Sequence, residues 1–181
     1  MKLIPKKLMV LVVALAALFT FAAAAPVRAD DWALTGTGVR VKTIAFIDID
    51  VYEISHFMKQ TPASRSKQAV IDADVPKKFV WKMLRDVDKE KIHDALTGAF
   101  AMNGYKDQAK IKAFVGAFQG ELKEGARITI QYDPEKKTTT VAVGGSSASV
   151  AGVDFMKAVW SIWLGKIDQP NLGDQLIGRL K

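Results

Sequence analysis

The stretch over 39–51 constrains the fold more than any other part of this chain. Val39, Val41, Thr43, Ala45, Ile47, Ile49 and Val51 put an apolar or small side chain at every second position, while Arg40, Lys42, Asp48 and Asp50 project the other way. A period of two belongs to a strand with one face buried, so the rest of the chain must supply a layer to cover that face. The pattern reads as one long strand or a bent pair. Ile44, Phe46 and Tyr52 share the parity of the charged residues. Either something covers part of that second face, or a bulge exchanges the two parities.

The following segments show where a covering layer comes from. Residues 30–38 form a short opening segment, and 60–66, with Thr61-Pro62-Ala63-Ser64, reads as a loop. Strand-like runs follow at 67–73 and 78–84, interrupted by Val75-Pro76, because proline cannot donate to a central ladder. Asp86 or Asp88 then caps a helix in which Ile92, Leu96, Ala99 and Phe100 recur at helical spacing, and Asn103-Gly104 ends it. A second amphipathic run aligns Ile111, Phe114, Val115 and Phe118, with Gly120 and Gly125 bracketing its exit. Alternation returns over 127–132, Asp133-Pro134-Glu135-Lys136 makes a turn, and 138–143 is the partner strand of a hairpin. Residues 144–149 are small and polar, as in a turn or mobile loop. A helix over 153–164 carries Phe155, Val159, Ile162 and Trp163 on one side and stops at Gly165, and Asp168-Gln169-Pro170-Asn171 opens a short final helix through Leu180. Strands and helices are grouped, not strictly alternating, which predicts an α+β domain with an antiparallel sheet and helices packed on one side.

The first 29 residues have a different purpose. Lys2, Lys6 and Lys7 precede a run from 8 to 25 that is apolar except for Thr20, and Val27-Arg28-Ala29 ends it with the small residues of a cleavage site. This is the layout of a secretory signal peptide over 1–29, with a single mature domain over 30–181 that is exported to the periplasm or secreted. Cleavage also changes the charge: the 26 basic residues lose four with the leader, leaving 22 against 19 acidic ones, a balance of +3. So mild a charge gives no support to a nucleic-acid partner. No later stretch is apolar for long enough to span a membrane once the leader is gone. The chain has no cysteine, so its stability must come from packing.

Little of the sequence points to catalytic chemistry. His56 and His93 lie on different elements with no cysteine to join them, which argues against a zinc site, and His93 reads as an exposed or partly packed helix residue. Ser146 and Ser147 lack the glycine spacing of a nucleophile elbow. Gly36-Thr37-Gly38 reads as a turn: the third glycine of a phosphate-binding pattern would fall at Val41, and a strand follows where a helix is needed. Asp48 and Asp50 form a solvated face. The helix over 153–164 is the densest apolar element outside the leader, and Trp160 with Leu164 widens its stripe beyond a single face, leaving room for an apolar pocket between helix and sheet.

Taken in order, Gly36-Thr37-Gly38-Val39-Arg40, Lys42-Thr43-Ile44 and Val51-Tyr52 resemble the opening of chalcone isomerase-like domains. Leu84-Arg85-Asp86-Val87 and residues 155–165 resemble the exported bacterial branch of that family. The resemblance implies an open-faced β-sandwich, in which a layer of helices covers a large antiparallel sheet and a ligand cleft lies between them. The family contains enzymes that close a flavanone ring without a cofactor and members that bind fatty acids. Arg40 matches the arginine that the enzymes place after the glycine turn. Their threonine falls at Ile47, their late-helix hydroxyl falls near Ile162, and Asn103 and Tyr105 stand in the wrong order for their Tyr and Asn pair. The resemblance therefore implies a non-catalytic domain that binds a small apolar or fatty-acid-like carboxylate, with no cofactor and no metal. Arg40 would take the carboxylate, or else pair with an internal acid or order the start of the strand, and Phe46 and Trp160 would line the path of the apolar tail. A cofactor-free intramolecular lyase or isomerase is the alternative, and an interaction module whose own side chains fill the cleft is a third reading.

Overall fold

The alternating run resolves into a hairpin of β1 (Ala33–Ile44) and β2 (Ile47–Met58). Our computed structural model describes residues 31–181, and the expected signal peptide over 1–29 lies outside the described residues. A two-residue turn, Ala45-Phe46, joins the strands, with φ of 48° and 69°. None of the seven alternating residues is buried, contrary to expectation. Two reasons lie in the register: β3 (Lys77–Met83) pairs with β2 only from Tyr52 to Met58, so the distal half of the hairpin projects past the sheet, and Val39, opposite Glu53, lies on the sheet face away from Ile54 and the helices. The exchange of parity does occur, as a bulge. Pairing steps from Arg40↔Tyr52 to Val41↔Asp50 and skips Val51, so Arg40 stays on the side of the core residue Ile54 while Asp48 and Asp50 pass to the opposite side from Tyr52.

Six strands follow one another in simple order, β1-β2-β3-β4-β5-β6, all antiparallel, with β4 (Arg127–Asp133), β5 (Thr138–Val143) and β6 (Ser146–Ala151) completing the sheet. The hairpin over 127–143 forms as predicted. The small polar run over 144–149 is not a loop beyond its turn: Ser146 to Ala151 pair with β5 as an edge strand, since serine tolerates a half-solvated pleat.

Residues 67–73 do not form a strand. They make the short helix α1 (Lys67–Asp72), started by the Ser66 hydroxyl, which accepts the Ala69 N–H at 3.3 Å. Its last carbonyls are capped from another element, because Lys77 donates to Val70 O at 2.7 Å and Ile71 O at 3.0 Å. The predicted helices otherwise appear: α2 (Lys89–Met102) after Asp88, α3 (Gln108–Val115), α4 (Val153–Leu164), and α5 (Pro170–Leu176), which ends four residues earlier than expected. All pack on the sheet face that carries Ile54, Phe79, Trp81, Ile128, Ile130 and Val141, every one of them buried. Eight of the twelve residues of α4 are buried. Phe79 contacts Trp160 and Trp163 at centroid distances of 5.1 and 4.8 Å, and Trp81 meets Trp163 edge-on at 5.3 Å.

Gly36 and Gly38 are strand residues, not a turn. A Cβ on Gly36 would overlap the Gln175 carbonyl oxygen, and one on Gly38 would stand 2.6 Å from Leu172 Cδ1. The glycines are required because α5 lies directly on β1.

Candidate ligand pocket

Where the hairpin leaves the sheet, the C-terminal ends of α2 and α4 close over its base and enclose a pocket of about 240 Å³. Leu96, Ala99 and Met102 of α2 face Ile162 of α4 as an apolar wall. Asn103 holds the two helix ends together: its side chain donates to Lys166 O at 3.0 Å and accepts the Lys166 N–H at 2.8 Å. Asn103 thus fixes the rim of the pocket. Tyr105 is spent elsewhere, donating to Asp154 at 3.1 Å.

Tyr52 and Trp163 also line the pocket. The Trp163 indole N–H donates to the Tyr52 hydroxyl at 3.0 Å, and the phenol ring stacks on Trp81 at 4.7 Å. Burial raises the Tyr52 pKa, and the hydrogen bond from Trp163 and the charge of Arg40 offset this only in part. The phenol is neutral at physiological pH.

The rim is charged. Arg40, Lys42 and Lys166 face Asp94 and Asp168, a formal excess of one positive charge. Arg40 is already engaged: one of its nitrogens lies 2.6 Å from Asp168, and the other donates to Val41 O at 3.0 Å and to Gln169 at 3.1 Å. Lys42 reaches the second Asp168 oxygen at 3.2 Å. Burial opposes ionisation of Asp168, but the Arg40 charge and the hydrogen bonds from Lys42 and Arg40 prevail and hold its carboxyl below the usual range. An anionic ligand at Arg40 must therefore displace or share Asp168.

A family model of chalcone isomerase-like domains matches residues 16–178. The chain belongs to the chalcone isomerase-like family. Among solved structures, the crystal structure of a fatty-acid binding protein from Arabidopsis thaliana superposes with a TM-score of 0.67, over 82% of this chain and 87% of that one. The two are 17% identical, so the likeness establishes a shared fold. No curated protein sequence matches the chain.

Of the three residues expected to hold a ligand in this chalcone isomerase-like chain, the pocket contains one, Arg40. Phe46 is fully exposed on the hairpin tip, because the strands run on for four residues past Arg40 before turning. Trp160 is a core residue, one turn of α4 away from the face that Trp163 presents to the pocket. Its indole N–H donates to His56 Nε2 at 2.8 Å. Since indole only donates, Nε2 is unprotonated, and Nδ1–H donates to the Thr35 hydroxyl at 2.6 Å, which in turn donates to Leu176 O at 2.8 Å. Burial, with Lys77 nearby, lowers the His56 pKa to about 3 and keeps the ring neutral. The Lys77 ammonium lies 4.8 Å above the Trp160 ring. Asp168 and Lys166 escaped the sequence reading because they reach the pocket from more than 120 positions beyond Arg40, and Asp168 alone pairs with it. No local spacing pairs them.

Proposed function

We propose that this chalcone isomerase-like chain is an exported, non-catalytic domain that binds a small apolar ligand ending in a carboxylate, such as a short acyl chain. The observation that carries this reading is the pocket itself, with an apolar wall of Leu96, Ala99, Met102 and Ile162 beneath a rim with excess positive charge. Its size supports a small ligand: about 240 Å³ is below the roughly 300–1,000 Å³ of sites that enclose drug-sized molecules. The fatty-acid binding activity named for the Arabidopsis structure is compatible with such a ligand. Ile162 presents hydrocarbon where the family's enzymes place a hydroxyl, which favours binding over ring closure.

Calorimetric titration with a series of saturated fatty acids tests the proposal. Arg40→Ala should weaken binding by about 1.5–3 kcal/mol, the range for hydrogen bonds to charged groups. Asp168→Asn should strengthen it, because the internal competitor for the guanidinium is removed. Wild-type protein that binds no acyl carboxylate, or an Asp168→Asn variant that loses affinity, refutes the reading. For export, N-terminal sequencing of secreted or periplasmic protein should return Asp30, and Met1 refutes it.

A further inference from the structure

Among the described residues, three of the four exposed large apolar side chains lie on four consecutive positions: Ile44 at 57% exposure, Phe46 at 101% and Ile47 at 66%. They form the tip of the hairpin that projects past the sheet. Scattered exposed leucines or isoleucines are ordinary on a protein surface, but a cluster on the outermost turn is not. The backbone adds to this. Ala45 and Phe46 both hold positive φ, and a two-residue turn of that kind is made with less strain by Asn-Gly. A bulky aromatic kept in the left-handed region and fully in solvent has no partner among the described residues to explain it.

We propose that this tip docks the protein on the surface of a lipid bilayer, with Ile44, Phe46 and Ile47 entering the boundary between headgroups and acyl chains. The shape decides the occupant. The tip is convex and offers roughly 400 Å² of apolar side chain, about half of what each partner contributes to a stable protein interface. A second copy or a partner protein would need a matching cavity and a wider contact, whereas lipid chains rearrange around a small wedge. The charges agree. Thr43 donates to Asp48 at 2.7 Å, Lys42 pairs with Asp168 just below, and Asp50 lies at the same level, so the collar carries both signs, as zwitterionic headgroups do. That collar stops insertion after one turn. Four residues at about 3.3 Å each separate the tip from Arg40, which puts the pocket mouth roughly 13 Å above the inserted side chains. The proposal needs only the tip, and it stands whether or not the pocket takes an acyl ligand.

The absence of cysteine permits a site-specific test. The mature chain, residues 30–181, carrying Ala45→Cys is labelled with an environment-sensitive fluorophore and mixed with phosphatidylcholine vesicles, alongside a Ser147→Cys control on the far edge strand. The label at 45 should brighten and shift to the blue while the label at 147 stays unchanged. Adding Ile44→Ser, Phe46→Ser and Ile47→Ser to the first variant should cut its partitioning at least about tenfold without changing its melting temperature. An unresponsive label at 45, equal responses at both positions, or a dimer in sedimentation that the three serines abolish would each overturn the proposal.

Discussion

Lys77 should make this protein more stable in mild alkali than at neutral pH. Its side chain is completely buried, and burial draws its pKa from 10.5 down to about 7. Through the window between those values the unfolded chain holds a proton that the folded chain has released, so stability rises with pH. At about 1.4 kcal/mol per pH unit, the gap caps the gain at about 5 kcal/mol. The carbonyls of Val70 and Ile71 and the Trp160 ring all favour the ammonium, which is why this is a ceiling. Between pH 7.5 and 9 the expected gain is about 2 kcal/mol, or a rise of roughly 4–8 °C in Tm for a domain of this size. Among the described residues, few other shifted groups titrate there. The lowered pKa of His56 makes itself felt below 6.5, where the unfolded imidazole takes up a proton that the folded one refuses. The tyrosines act above about 9, where Tyr52, Tyr105 and Tyr132 keep protons that their unfolded counterparts lose, which lowers stability. Thermal melts of wild type and Lys77→Met across this window are the assay. Met nearly matches the volume and cannot titrate, so its Tm should stay flat. A flat wild-type profile, or an equal rise in Lys77→Met, refutes the reasoning.

Trp160→Phe should cost about 1–3 kcal/mol for the unpartnered His56 nitrogen, with the lost ring volume added, measured by urea denaturation. Gly38→Ala should destabilise by about 1–3 kcal/mol, as overpacking does, because the new methyl meets Leu172 and Gln175; amide exchange should show α5 opening first. Replacing the turn with Asn-Gly through Ala45→Asn and Phe46→Gly should stabilise the fold by about 1 kcal/mol in the same denaturation assay.

What the sequence revealed depended on how local the cause was. The helix over 153–164 and the hairpin over 127–143 were legible because their apolar period and turn residues are written in the segments themselves. The helix α1 was not: Ala69, Val70 and Ile71 look like a strand, six residues are too few to display a helical period, and one end is capped by Lys77 from the next element. Gly36 and Gly38 were visible as glycines but not as a contact, because the helix that requires them comes more than 130 residues later. The hairpin misled for another reason. Alternation normally signals a covered face, yet here it runs into a segment that none of the described residues covers. Of the site, Arg40 was legible through its place after the glycines, while Asp168, its partner, had no signal at all.

Because α5 lies on β1, the outer edge of that strand is closed by a side chain and not by another strand. Gln169 accepts the Val41 N–H at 2.9 Å and donates to Val39 O at 2.9 Å, standing in for a peptide group, and the Arg179 N–H reaches Thr35 O at 2.8 Å. Those residues are made after all six strands. A nascent chain must therefore carry a long, open pairing edge until residues 169–179 emerge, and a ribosome that stalls before residue 169 releases a product ready to recruit strands from its neighbours. Aggregation during synthesis should accordingly respond to loss of residues 169–181 far more than to equal losses from the exposed loops.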